Sequence, residues 1–388
     1  MRNISDTIAR LSAFKGHALP HGSSQFSGRL RPIEAFGSNP GNLRCHAYVP
    51  ANLAERAPLV VVLHGCTQSA GGYDHGSGWS QMADRHGFAL LFPEQQRQNN
   101  PNLCFNWFSP EDSRRDCGEA LSIRQMIKAF EGDYPIDADR VYVTGLSAGG
   151  AMASVMLAAY PEVFAGGAII AGLAYGCAAS VPQAFDRMRG HGIPAAHKLA
   201  ALVRGASRHQ GRWPSISVWQ GSADATVSPL NADAIVGQWA PLHGVGTRPD
   251  FIETVDGHQR RVWRDADGRD VIEAYSIAGM AHGTPLATSG VEGCGSSGAY
   301  MLEAGISSTG RICQFWGLTQ DSEPCFAGSA ARQSSGECRD LTLAPSDIRV
   351  SGARFIDVDT VSTMQGTNQN RNIREVIERA LRTAGLMR

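Results

Sequence analysis

The chain has 388 residues, 43% of them hydrophobic and 18% charged, with a formal net charge of −1. That is enough for one large or two smaller globular domains, and it excludes an intrinsically disordered polymer. A near-neutral chain with no long basic block has no electrostatic basis for binding nucleic acid or an anionic membrane, and no apolar run reaches the length of a spanning helix.

Residues 1–40 are polar and punctuated by Gly and Pro, with a short helical possibility at Thr7–Phe14, and read as an N-terminal extension. The first residues, Met1-Arg2-Asn3-Ile4-Ser5-Asp6, lack the apolar core of a secretory signal. The cytoplasm is therefore the expected compartment, with secretion as the alternative if a signal has been removed. An alternating stretch from Asn42 to Val49 predicts an early strand. Pro58–Gly65 is a continuous apolar run, as in a strand buried on both faces of a parallel sheet. Trp79–His86 reads as a helix and Gly87–Pro93 as the next buried strand. Glu119–Phe130 has helical periodicity, and Arg140–Thr144 leads into Gly145-Leu146-Ser147-Ala148-Gly149.

The alternation continues with a strand at Gly167–Gly172 and a helical or loop insertion over residues 178–212. Ser215–Gln220 predicts a strand, Asn231–Trp239 a helix, Phe251–Val262 a hairpin turning at Asp256-Gly257, and Val271–Ile277 the last core strand. Strands alternating with helices in this way predict an α/β fold with a mainly parallel sheet covered on both faces. Residues 41–318 form the expected catalytic domain. Residues 319–388 supply a Ser-, Ala- and Gly-rich loop and an amphipathic helix over 371–386, expected to pack on the same domain.

Gly145–Gly149 is a G-x-S-x-G pentapeptide between a β-branched run and an Ala- and Met-rich segment. This is the pattern of a nucleophile elbow, which pushes the serine Oγ out of a sharp strand-to-helix turn. In a chain with 44 glycines the pentapeptide alone is weak evidence. Serine attack also needs a base and a carboxylate to orient it, in the chain order Ser, acid, His. Asp224 follows the predicted strand Ser215–Gln220 and a Gly turn. Asp233 lies too far along the next helix, and Asp256 reads as a type I′ turn residue. His282 lies in the Gly-flanked loop after the last predicted strand. His191, His197, His209, His243 and His258 read more simply as solvated or core-satisfied histidines.

A tetrahedral intermediate needs two N–H donors, one from Ala148 after the nucleophile and one from a loop after an early strand. Leu63-His64-Gly65-Cys66-Thr67-Gln68 is that loop, with the Cys66 main chain as donor and His64 as a hydrogen-bonding loop former. A Cys66 thiol nucleophile would need its own base, and no motif supplies one. The nine cysteines are odd in number and irregularly spaced, which gives neither a disulfide framework nor a zinc pattern. Free thiols are the default in a cytoplasmic chain. In an oxidising compartment Cys104 with Cys117, or members of the Cys294–Cys338 group, are open to pairing.

The segments Leu63–Gln68, Phe92-Pro93-Glu94-Gln95, Cys104-Phe105-Asn106-Trp107-Phe108 and Gly145–Met152 resemble the esterase/poly(3-hydroxybutyrate) depolymerase family. These are α/β-hydrolases related to feruloyl and acetylxylan esterases. The similarity runs over roughly residues 30–318, and Arg379–Leu386 resembles a recurring family tail. The resemblance implies Ser147 as nucleophile, Asp224 as acid, His282 as base and an oxyanion hole involving Cys66, in agreement with the reading of the residues. It implies hydrolysis of polyhydroxybutyrate-type polyesters or their oligomers, with feruloyl- or acetylxylan-type esterolysis as the alternative. A catalytically silent binding fold is disfavoured by the intact Ser147, Asp224 and His282 set.

The chain departs from the secreted depolymerases, which add a linker and a polymer-binding domain, and is more similar to the intracellular members. Gln220 stands where many hydrolases have His before the Gly, a difference expected to touch no triad role. Trp107, Trp219 and Trp213 are candidates for the substrate groove, weighed equally against packing at the sheet edge. No metal or organic cofactor is implied, and the partner expected is the ester substrate. Oligomeric state is not legible.

Overall fold

The structure, a computed structural model, describes residues 28–290 and 293–319. The expected helices at Thr7–Phe14 and over 371–386, the polar loop after Asp321, Cys325 and Cys338 all lie outside the described residues. The strands in chain order are β1 (Arg31–Pro32), β2 (Arg44–Tyr48), β3 (Ala57–Leu63), β4 (Ala89–Glu94), β5 (Ile136–Leu146), β6 (Gly166–Ile170), β7 (Ser215–Gly221), β8 (Phe251–Val255), β9 (His258–Arg264), β10 (Asp270–Ile277), β11 (Thr284–Leu286) and β12 (Met301–Glu303). The helices are α1 (Ala70–Ser77), α2 (Trp79–His86), α3 (Pro110–Ser113), α4 (Gly118–Asp133), α5 (Ala148–Ala159), α6 (Val181–Met188), α7 (Ala196–Ala206), α8 (Leu230–His243) and α9 (Ser308–Phe315).

Among the described residues, ten strands form one sheet in the order β1-β2-β4-β3-β5-β6-β7-β10-β9-β8. From β4 to β10 the neighbours are parallel, while β1 and β2 on one side and β9 and β8 on the other add antiparallel edges. This is the mainly parallel sheet of the α/β-hydrolase fold. Its strands sort their side chains by the two-residue period of the pleat. In β3, Leu59, Val61 and Leu63 join the core under α4, α5, α7 and α8. Val60 and Val62 face the opposite core, under α1, α2 and α9. Because both faces are covered, the strand reads as an unbroken apolar run.

The hairpin of β8 and β9 turns at Asp256 and Gly257, with φ of 50° and 82°, the left-handed pair a type I′ turn requires. Several elements escape the periodicity of the sequence, among them α1, α9 and the β11–β12 pair. α1 is written Ala-Gly-Gly-Tyr-Asp-His-Gly-Ser, a composition poor in helix formers. It is held instead by its surroundings: Ser69 Oγ accepts from Gly72 N–H, and Gly76 and Gly78 lie against Met301 and the Cys294–Gly295 backbone. Beyond the expected last core strand, β11 and β12 pair in parallel as a separate two-stranded sheet. Trp316, following α9, stacks on Tyr142 of β5 at 4.7 Å. No helix of the described residues is long and apolar enough to cross a membrane.

Candidate active site

Four parallel strands, β3, β5, β7 and β10, deliver their C-terminal ends to the same edge of the sheet, where open α/β sheets bind ligands. β5 ends at Leu146 and α5 begins at Ala148, so Ser147 takes the whole reversal. Its φ of 57° and ψ of −116° fall in a region that costs a non-glycine residue about 1–3 kcal/mol. The turn closes only because Gly145 and Gly149, two residues to either side, lack side chains. A Cβ on Gly145 would stand 2.4 Å from the Gly149 carbonyl carbon, and one on Gly149 would stand 2.3 Å from Leu63 O. Helix α5 thus starts against the end of β3, beside the loop that follows it.

β7 ends in Gly221, and Asp224 folds back beneath its own loop. Asp224 Oδ1 accepts from Thr226 N–H and Val227 N–H, both at 2.8 Å. Oδ2 accepts from Gln220 Nε2 at 2.9 Å and faces His282 Nδ1 at 2.7 Å. The His282 loop docks onto this turn. Ala223 N–H donates to Met280 O at 3.0 Å, and Gly279 N–H donates to Ser222 Oγ at 2.8 Å. Gly221 permits the approach, since a Cβ there would meet Met280 O at 2.3 Å. Strand β11 pins the far side of the loop. With Nδ1–H given to Asp224, His282 Nε2 is free to accept from Ser147 Oγ at 2.9 Å. The structure therefore brings the three sequence-predicted residues into one hydrogen-bonded line. Such a line can move a proton from hydroxyl to imidazole while the carboxylate stabilises the cation that forms.

Of the two expected oxyanion donors, one adjoins the serine in the chain and the other lies in the loop after β3, whose Leu63, His64 and Gly65 pack against the elbow. Ala148 opens α5, where the first N–H groups of a helix have no internal acceptor. Cys66 lies in the loop after β3, and no internal acceptor takes its N–H among the described residues. His64 is the loop former anticipated: Nδ1–H donates to Gly65 O at 2.8 Å and Nε2 accepts Gln95 N–H at 3.1 Å. Full burial lowers its pKa, which suits the neutral ring these two bonds require.

The geometry corrects three expectations. Cys66 is not a free thiol but is disulfide-bonded to Cys104, which removes its sulfur as a nucleophile; Cys104 does not pair with the exposed Cys117. Gln220 does bear on the triad, because its amide holds the same Asp224 oxygen that faces His282. Trp219 is not a groove residue. It is fully buried in β7, stacks on Tyr275 at 3.8 Å and donates Nε1–H to Ser217 Oγ at 2.8 Å. Trp107 is also buried, edge-on to Phe108, and Trp213 is half-buried against Trp239. An unpredicted aromatic stands beside the base: the exposed Tyr300 ring lies edge-on to His282, with ring centroids 6.1 Å apart.

The chain is similar to known esterases and depolymerases. Residues 43–260 match the family model described as esterase PHB depolymerase. Poly(3-hydroxyalkanoate) depolymerase C of Paucimonas lemoignei is 46% identical over 295 residues, which is 74% of this chain and 70% of that protein. Feruloyl esterase B of Talaromyces funiculosus is 31% identical over 265 residues, 66% of this chain and 73% of the relative. Among solved structures, an acetyl xylan esterase from Aspergillus awamori aligns with a TM-score of 0.64 at 25% identity, covering 75% of this chain and 100% of that one.

Proposed function

The chain belongs to the esterase PHB depolymerase family and is a carboxylic ester hydrolase, and from that premise we propose that it cleaves poly(3-hydroxybutyrate)-type polyesters or their oligomers through an acyl-enzyme on Ser147. The observation that carries the mechanism is the line from Ser147 Oγ through His282 to Asp224, at 2.9 and 2.7 Å. His282 Nε2 takes the hydroxyl proton as Oγ attacks the ester carbonyl. The carbonyl electron pair moves onto oxygen, where the Cys66 and Ala148 N–H groups receive it. Collapse of the adduct expels the alcohol end of the chain, which leaves with the proton from His282. Water, deprotonated by the same imidazole, then attacks the acyl-serine and releases the acid. No step calls for a metal or an organic cofactor.

The 46% identity to a poly(3-hydroxyalkanoate) depolymerase supports the polyester over other esters. The feruloyl esterase likeness, at 31%, supports the alternative of small plant-derived esters less strongly. The Cys66–Cys104 bond also supports an oxidising compartment, and so the secreted alternative over the cytoplasm. The substrate assignment is tested by comparing release of 3-hydroxybutyrate from amorphous granules with release of ferulate and acetate from model esters. Preferential 3-hydroxybutyrate release is expected; equal turnover of all three overturns the polyester assignment.

A further inference from the structure

Glu119 is a buried carboxyl that the hydrolytic steps do not use. It lies in the first turn of α4, fully buried, beside Ala120, Ile123 and Ile127 of the core. No described cation pairs with it. Instead three donors converge on its oxygens: Gln95 Nε2 at 2.6 Å, Asn106 N–H at 2.8 Å and Asn106 Nδ2 at 2.8 Å. A buried carboxyl satisfied only by amides is a costly way to anchor a helix that already has an apolar face.

What those amides lead to gives the group a purpose. Gln95 Nε2 also donates to Cys104 O at 3.1 Å, and the Cys104 sulfur is bonded to Cys66. Gln95 N–H donates to His64 Nε2, and His64 holds Gly65 O, next to Cys66 in the chain. Thr67 N–H closes a third link, donating to Asn102 O at 2.7 Å. Cys66 is therefore gripped through its side chain and through both chain neighbours, and the grips involving Cys104 and His64 meet at Gln95 and Glu119. The two loops need the restraint, since Thr67 and Leu103 adopt φ of 65° and 55°, a region non-glycine residues seldom occupy.

We propose that Glu119 is a positioning residue of the oxyanion hole, fixing the Cys66 N–H through Gln95, Asn106 and the Cys66–Cys104 disulfide. The proposal rests on the reading of Cys66 N–H as an oxyanion donor. A donor that is misplaced rather than removed loses transition-state binding and leaves ground-state binding alone.

The test uses the full chain, oxidised, as wild type, Glu119→Gln, Gln95→Leu and the double variant Cys66→Ala/Cys104→Ala. Active sites are titrated with a serine-directed phosphonate. The kcat and KM for a p-nitrophenyl butyrate substrate are then measured per titrated site, together with the affinity for a trifluoromethyl ketone that forms a tetrahedral adduct. In Glu119→Gln and in the double variant, kcat and ketone affinity are expected to fall together, on the order of 10-fold or more, with KM unchanged. Gln95→Leu breaks the same link from its other side and carries the test if Glu119→Gln does not fold. Wild-type kcat per titrated site in the Glu119 or Gln95 variant, with loss in the double variant, overturns the role of Glu119 and leaves the Cys66 reading standing. Wild-type kcat and ketone affinity in all three variants, with phosphonate labelling intact, overturn the positioning of the Cys66 N–H by Glu119, Gln95 and the disulfide.

Discussion

Gln220 and Gly221 prepare the acid and the base of the site by opposite means. Gln220 supplies a donor to Asp224 Oδ2, and Gly221 supplies room for the Met280–Ala281 backbone. Replacing Gln220 with Ala removes a hydrogen bond to a charged acceptor, worth about 1.5–3 kcal/mol. Asp224 retains its two main-chain donors, so kcat should fall about 10-fold with KM little changed, in steady-state measurements on a soluble ester. Gly221→Ala should be harsher. Its methyl group displaces the loop that carries His282, and a displacement of about 1 Å at a reacting group costs roughly 10²-fold in rate. Wild-type kcat in Gly221→Ala would show that the His282 loop is not held by this contact. Neither role can be read from the sequence, because the partner of a side-chain amide and the clearance over a glycine are set by loops that meet only in the folded chain.

Ser147, Asp224 and His282 were legible because each follows a strand in a Gly-marked loop, and because their order along the chain matches the order the chemistry requires. The strands were legible for a related reason: residues buried on both faces of a parallel sheet leave an apolar run that stands out from its flanks. Trp219 misled for that very reason, since an aromatic within such a run faces a core rather than a groove. α1 and β11–β12 were missed because contacts distant in sequence hold them. α4 carries the clearest pH prediction. Burial, with Asp112 nearby, raises the Glu119 carboxyl from 4.5 to about 8, against the lowering effect of Asn106 and Gln95. Between those values the folded chain holds a proton that the unfolded chain has lost. The stability this group contributes is therefore full below about 4.5 and is lost as pH rises through about 8. Urea unfolding midpoints should fall from pH 5 to pH 8.5 in wild type and fall less in Glu119→Gln. An undiminished slope in the variant would contradict the assignment.

At the scale of the described fold, the parallel strands gather nucleophile, acid, base and oxyanion loop at one edge, and the Cys66–Cys104 disulfide ties that edge to the segment after β4. The bond joins cysteines 38 residues apart. Reducing it should lower unfolding free energy by about 2–5 kcal/mol, measured by denaturant titration with and without reductant. Its connectivity was not legible, because cysteine pairing depends on which loops converge and not on their spacing. The account as a whole stands on an acyl-enzyme at Ser147. The most direct measurement is mass spectrometry of the protein after brief reaction with a 3-hydroxybutyrate oligomer and acid quench, with peptide mapping of any adduct. A 3-hydroxybutyryl-derived mass on the peptide containing Ser147, absent from Ser147→Ala along with all release of 3-hydroxybutyrate, is the result predicted. An adduct on another residue, or undiminished release by Ser147→Ala, would contradict it.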